Sequence, residues 1–435
     1  MAVGDFDGDG WPDILVTGYP HCILYKNNHD GTFTDVTEKA GIVTNGWSSS
    51  AAWLDYDNDG KLDLFIASYI EYGPHGNEIC REALGHYGYC SPRAYKGRAG
   101  LLFHNNGDGT FTEAGKDTVI GKMLGKSLGV VATDINNDGL MDLFVANDTV
   151  PNFLFVNRGG GKFEELGLSA GVAYNENGNS RAGMGVDSAD YDNDGRMDLI
   201  LANVDHERHS LYHNDGDEVF SESNMATPIG MATETMAGWG LKFFDYDNDG
   251  RMDLILANGH PDPEIDKHTA NVTFREPLML FHRTDKAFVD VSRLAGPAFQ
   301  TPLAARGLAV GDYDNDGGVD VLVLDNGGVP VLLHNEVGGK TSWVGVKLVG
   351  VKSNADAVGA VVRWPAGGQV FSRLKTGGGS YASAHDPRMV LGLAGAPSVE
   401  WVEVKWPMPS GRTERFTKLK LNAYQELKEG TGQAV

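Results

Sequence analysis

The chain is poor in cysteine, in long apolar runs and in basic residues, and each shortage excludes something. Three cysteines in 435 residues are too few to build a disulfide scaffold. Cys80 and Cys90 lie in one Gly-, Tyr- and His-rich segment and are candidates for a single bridge, while Cys22 stands alone. No apolar run approaches the roughly 18 residues that span a bilayer as a helix, so no transmembrane segment is read. Lys and Arg number 36 against 59 Asp and Glu, a formal charge of −23. That sign argues against nucleic acid as a partner, which needs Lys/Arg stripes facing phosphate. No signal peptide opens the chain, because Met1-Ala-Val runs straight into an acidic loop.

The missing charge balance is concentrated in that loop. Its clearest copy is Asp245-Tyr-Asp-Asn-Asp-Gly-Arg-Met-Asp253, with carboxylates at positions one, three, five and nine and Gly250 at position six. The loop recurs from Asp5, Asp55, Asp134, Asp190 and Asp312, and its 23 aspartates equal the whole acid excess. Each copy is followed by an apolar run such as Leu254-Ile-Leu256, a turn and a second run such as Leu211-Tyr-His-Asn214, and the first five also by a short Phe-led segment such as Phe33-Thr-Asp-Val36. A Gly/Ala-rich run precedes most copies. Four short strands recurring every 50–56 residues are the content of one propeller blade.

Two insertions, residues 71–99 and 259–277, fall between the second and third strands of their repeats and are expected to project from one face. After the sixth loop the pattern changes. Residues 1–337 are read as an all-β propeller with six visible blades, and 338–435 as a separate small β-sandwich-like domain. In that domain Val402, Val404 and Trp406 alternate with Glu403 and Lys405, which predicts one buried and one wet face.

Oxygen ligands at alternate positions, with a glycine forcing the turn, are what calcium requires. The ligand sets read from the six copies are Asp5, Asp7, Asp9 and Asp13; Asp55, Asp57, Asp59 and Asp63; Asp134, Asn136, Asp138 and Asp142; Asp190, Asp192, Asp194 and Asp198; Asp245, Asp247, Asp249 and Asp253; and Asp312, Asp314, Asp316 and Asp320. Position seven adds the backbone carbonyls of Trp11, Lys61, Leu140, Arg196, Arg251 and Gly318. Calcium is therefore the expected cofactor, at up to six sites, with loop three weakened by Asn136. An EF-hand begins the same way but needs an acid at position twelve, and here that position holds Val16, Ile66, Val145, Leu201, Leu256 and Val323. The competing reading is metal-free Asx turns, which would leave four carboxylates uncompensated in most loops.

These loops and their blade pattern resemble the FG-GAP/VCBS repeat family of calcium-loop propellers, related to the integrin α-subunit head. The tail resembles the ASPIC/UnbV domain through Trp343-Val-Gly-Val-Lys-Leu-Val349, Ser353-Asn-Ala-Asp356, Gly359-Ala-Val-Val362, Gly377-Gly-Gly-Ser-Tyr381 and Val404-Lys-Trp-Pro407. The resemblance implies a secreted, periplasmic or cell-surface protein with seven blades. Because only six loops and no signal peptide are visible, an N-terminally incomplete chain is expected, with a six-bladed ring as the alternative.

No catalytic constellation stands out, so no enzyme activity is expected. The Asp205-His-Glu-Arg-His209 stretch with His213, and His260 with Asp262 and Asp266, are read as solvated loops rather than transition-metal sites. The sequons at Asn147 and Asn271 carry little weight. The expected function is non-catalytic recognition or adhesion, with an extracellular protein or glycan as partner. A propeller-based polysaccharide hydrolase or lyase is the alternative, and convergent Asp, Glu, His or Tyr at the channel mouth would favour it.

Overall fold

The computed structural model describes residues 1–73, 79–81, 90–223 and 227–435. Six antiparallel sheets follow one another along the chain, each with its strands in sequence order. Their innermost strands are Ala2–Gly4, Ser48–Leu54, Ser127–Thr133, Val186–Ala189, Gly238–Phe244 and Ala305–Gly311. Blades one to five have four chain-consecutive strands, and blade six has three, ending at Val331–Leu333. Every acidic loop is the hairpin between the first and second strands of its blade.

The small residues of the inner strands answer to crowding. A Cβ on Gly129 would stand 2.2 Å from the Met184 carbonyl oxygen, and one on Gly185 would stand 1.9 Å from that of Trp239. Larger side chains fill the spaces between blades, where Phe6, Trp53 and Phe111 form one cluster and Tyr191, Phe243 and Phe288 another. An asparagine at or just past the third strand ties blades two, three, four and six each to the loop of the blade before it. Asn105 donates to the Phe6 carbonyl (2.7 Å), Asn157 to Tyr56 (2.7 Å), Asn214 to Ile135 (2.8 Å) and Asn335 to Tyr246 (2.7 Å). In blade five, Arg283 replaces the asparagine and reaches the Tyr191 carbonyl with Nε at 3.1 Å. The outer faces of blades one and six carry the exposed Val16 and Phe33, and Leu322, Leu324 and Leu332.

The C-terminal region has its own core of Val346, Trp364, Leu391, Val404 and Trp406 between two sheets. One sheet joins Met389–Gly392, Trp343–Val349 and Tyr424–Lys428; the other is built on Val361–Ala366 and Val402–Lys405. The expected wet face needs correction at Glu403, which is only 8 % exposed because Arg415 covers it at 2.8 Å.

Nor is this region separate from the ring. Residues 376–386 leave the sandwich as a finger that runs among the inner strands of blades two to six. Gly377 and Gly378 pair with Ala132 and Val131 of blade three. Ser380 bridges to Val186 of blade four, and its hydroxyl accepts from the Leu241 amide of blade five and donates to the Leu308 carbonyl of blade six. The Ala382 amide reaches Ser50 of blade two, and Asp386 closes on the Val310 carbonyl. At the tip, Tyr381 meets Trp239 edge-on at 4.8 Å. The finger occupies the space along the inner strands and leaves a cavity of about 220 Å³ beside it, lined by Trp53, Lys242 and His385 among others.

Candidate cation sites on the acidic loops

The six loops share one hydrogen-bond scheme. The first aspartate accepts from the position-five amide (2.9–3.1 Å) and from the position-six glycine amide (2.8–2.9 Å). The position-five aspartate accepts from the amides of Trp11, Lys61, Leu140, Arg196, Arg251 and Gly318 at position seven. The ninth aspartate is buried at the root of the second strand. It accepts from position two at 3.0–3.3 Å and from a third-strand amide at 2.7–2.8 Å. The turn also needs a left-handed residue at position four. Asn58, Asn137, Asn193, Asn248 and Asn315 supply it with φ of 59–63°, and Gly8 does so in loop one. Asparagine adopts this region at little cost.

The third position is left over in loops two and four. Asp57 Oδ1 and Asp192 Oδ1 are buried with no hydrogen-bond partner, an arrangement that is costly unless something else pairs with them. Burial, reinforced by neighbouring carboxylates, pushes Asp63 and Asp198 up to about 8 and Asp55 up to about 7. Clusters this unwilling to ionise together ask for a proton or a cation. Ligand atoms of Asp5, Asp7 and Asp13 lie within 4.8 Å of one another, and the same holds for Asp57, Asp59 and His104, and for Asp192, Asp194 and His213. Oxygen-rich and partly buried, these loops fit a hard divalent cation, whose place at position five is taken in this structure by the charges of Lys26, Lys61, Arg196 and Arg251 on Asp9, Asp59, Asp194 and Asp249. Loop three differs, since the Asn136 amide donates to Asp138 (3.1 Å) and Glu218 (3.0 Å).

A residue outside the loop also faces several clusters, and the sequence reading missed it. It precedes the inter-blade asparagine, or Arg283 in blade five. His104 approaches Asp57 at 3.3 Å, His213 approaches Asp192 at 3.2 Å, His282 approaches Asp253 at 3.0 Å, and His334 approaches Asp320 at 3.1 Å. Lys26 plays this part in blade one, pairing with Asp7 and Asp9. The signal was the recurring Leu-x-His run.

The solvated-loop reading of the other histidines is corrected. His213 lies on the strand Ser210–Gly216 beside loop four. His209 is fully buried, accepting from the Asn203 amide, because its strand end is covered by blade five. His260 is 6 % exposed and contacts Asp205 at 3.0 Å, which joins two stretches read separately. Cys80 and Cys90 are bonded, with Cα atoms 5.1 Å apart, and Cys22 is a buried thiol.

The FG-GAP-like repeat matches residues 5–66, 94–145, 134–201 and 190–256, and the ASPIC and UnbV family matches 350–434. The chain belongs to the FG-GAP-like repeat family, with an ASPIC/UnbV domain at its C-terminal end. It is 26 % identical to cartilage acidic protein 1 of Xenopus tropicalis over 98 % of its own length and 64 % of that relative's. Against the human protein of that name the identity is 26 %, covering 97 % of this chain and 62 % of the relative. The chain thus spans less than two thirds of these relatives. Among solved structures it is similar to an Agrocybe aegerita lectin specific for non-reducing terminal N-acetylglucosamine (TM-score 0.43, 17 % identity, covering 77 % of this chain and 80 % of that one). It is also similar to a Bacillus licheniformis rhamnogalacturonan lyase (TM-score 0.36, 16 % identity, covering 98 % and 72 %). No helix among the described residues is long and apolar enough to cross a membrane.

Proposed function

We propose that this FG-GAP protein is a non-catalytic, calcium-stabilised extracellular recognition protein that binds a protein or glycan through propeller loops. The observation that carries the reading is the division of labour between the two faces. On one face the aspartates are engaged in holding hairpins, and the C-terminal domain bonds there to loops one, four, five and six. On the other face Tyr19, Trp47 and Tyr72 are 43, 37 and 39 % exposed. Tyr72 stands between the other two, 5.5 Å from Tyr19 and 5.7 Å from Trp47. Exposed aromatic groups of this kind are typical anchors of recognition surfaces.

Calcium is assigned a structural role. Loops of this type in extracellular modules bind at about 10⁻⁴–10⁻³ M, and tenfold saturation adds about 1.4 kcal/mol per site by mass action. A calcium-rich exterior is the setting in which such sites fill. The test is a glycan and matrix-protein binding screen of the intact protein with calcium and with EDTA, repeated on Trp47→Ala and Tyr72→Ala. Calcium-dependent binding that these variants lose supports the reading; unaltered binding by both variants removes the aromatic surface from it.

The hydrolase or lyase alternative has one specific observation in its favour. Near the finger tip, the Tyr69 hydroxyl donates to Asp148 at 2.6 Å, and burial pushes Glu276 up to about 8. The finger lies among the inner strands beneath them, and His260 has both ring nitrogens engaged, by Asp205 and by the Asp262 amide. Turnover of any polysaccharide in the same screen, abolished by Glu276→Gln, would favour the enzyme.

A further inference from the structure

The finger stands on two of the six loops. At its rising end, Arg373 Nη2 lies 3.2 Å from Asp245 Oδ2 in loop five, and the Arg373 guanidinium stacks over Trp364 at 5.1 Å. At its descending end, Arg388 donates to the Asp312 carbonyl at 2.8 Å and lies 4.1 Å over the ring of Tyr424. The Tyr424 hydroxyl in turn donates to Asp312 Oδ2 in loop six at 2.8 Å. Asp245 and Asp312 are the first aspartates of their loops, and in both the same oxygen already accepts from the position-six glycine amide. Among the described residues, the corresponding oxygens of Asp5, Asp55, Asp134 and Asp190 accept from that glycine alone. Arg373 at the finger's base therefore touches the first carboxylate of loop five, and Tyr424, on the sandwich strand over which Arg388 lies, touches that of loop six; at loop one the C-terminal domain meets only the Asp5 amide, through Asp356.

We infer that loops five and six are composite cation sites, in which Arg373 and Tyr424 act as positioning residues. Cation binding at these two loops and seating of the finger in the ring form one coupled equilibrium, while loops one to four fill independently of the finger. A cation held by these loops would fix the Asp245 and Asp312 carboxylates, whose Oδ2 atoms are the ones that Arg373 and Tyr424 meet. Linkage makes the effect reciprocal, so a seated finger raises affinity at loops five and six by the factor by which cation favours seating. The Arg373 charge opposes a cation even as it orients Asp245, whereas Tyr424 is neutral, so loop six is the cleaner test. The inference rests on the calcium reading given above.

The experiment follows the full-length chain through a calcium titration with two readouts. Calorimetry counts the sites and their affinities. Hydrogen exchange reports the finger amides that donate into the ring, those of Gly379 to Val130, Ser380 to Val186 and Asp386 to Val310. Finger protection should rise with calcium in the native protein. Tyr424→Phe should move the midpoint of that rise about fivefold higher, near the low end of the roughly 5–150-fold range of site-to-site coupling, with full protection restored at saturation. Asp134→Asn, in a loop whose first aspartate the C-terminal domain does not touch, should remove one binding equivalent and leave the finger midpoint in place. Ser380→Ala loosens the finger far from any loop and should weaken two sites only, which keeps the inference testable should the tyrosine variant misfold. Calcium binding with finger protection equal in EDTA and calcium would overturn the coupling alone. An absence of calcium binding would overturn the calcium reading and the coupling with it.

Discussion

Replacing Gly377 by alanine tests whether the finger is seated inside the ring as described. The added Cβ would lie 1.9 Å from the Trp53 carbonyl oxygen, a backbone atom of the fully buried inner strand Ser48–Leu54 that cannot swing aside. Overpacking of this kind costs about 1–3 kcal/mol. Relief requires the finger to shift, and the pairing of Gly377 and Gly378 with Ala132 and Val131 cannot follow, at about 1 kcal/mol for each hydrogen bond lost. The total is about 3–5 kcal/mol. Gly395→Ala is the control, since Gly395 has φ of 75° but nothing within 4 Å of an added Cβ, so only backbone strain of about 1 kcal/mol applies. Urea denaturation gives both values, and hydrogen exchange at Gly379 and Ser380 shows whether the finger is the part released. Equal destabilisation by the two alanines, or a Gly377→Ala protein with native protection at those amides, would refute the packing argument.

Four further outcomes follow from the loops and their supports. EDTA should lower the melting temperature and calcium restore it, and an unchanged melt would remove calcium from the account. The pH dependence has a definite sign: burial raises Asp63 and Asp198 to about 8 and Asp55 to about 7, above the roughly 4 of an unfolded chain. Stability from these groups is complete below about pH 4 and is lost as pH rises through 7–8, so EDTA-treated protein should melt lower at pH 8.5 than at pH 5.5, and the calcium increment should be larger at the higher pH. Asn157→Ala leaves the Tyr56 carbonyl without its donor and should cost about 1–3 kcal/mol in urea titrations. Reducing the Cys80–Cys90 bond, which closes a separation of only 10 residues, should cost no more than about 3 kcal/mol in urea titrations, the loop-closure entropy of so short a span.

The blades were legible because their signals are local. Each acidic loop carries its own turn geometry, from the left-handed asparagine at position four to the glycine at position six, and the apolar run behind it can only be a buried strand. The alternation of Val402, Val404 and Trp406 likewise marked the core face of the C-terminal sheet, and all three are buried. Its opposite face was misread at Glu403 because Arg415 lies on a neighbouring strand twelve residues away, and strand partners are not written in periodicity.

The asparagine of Leu-x-His-Asn was equally visible as a repeat, yet its meaning was not. Its side chain bonds to a carbonyl of the preceding blade about 80–100 residues earlier, at separations of 99 for Asn105 and 79 for Asn214, and no local pattern encodes such a partner. The finger is the extreme case. Gly377-Gly-Gly-Ser-Tyr381 reads locally as a flexible turn, and its glycines are compatible with that. What demands them is contact with strands more than 190 residues away, where the Trp53 carbonyl excludes a Cβ at Gly377 and the Val130 carbonyl accepts from the Gly379 amide. A tri-glycine in a domain appended to a propeller therefore gains a physical reading only once the channel is known to be narrow. Conversely, the close approach of the inner strands, set by their own small residues, is what demands bare backbone at Gly377 and Gly378, while Tyr381 finds room beside Trp239 at the tip.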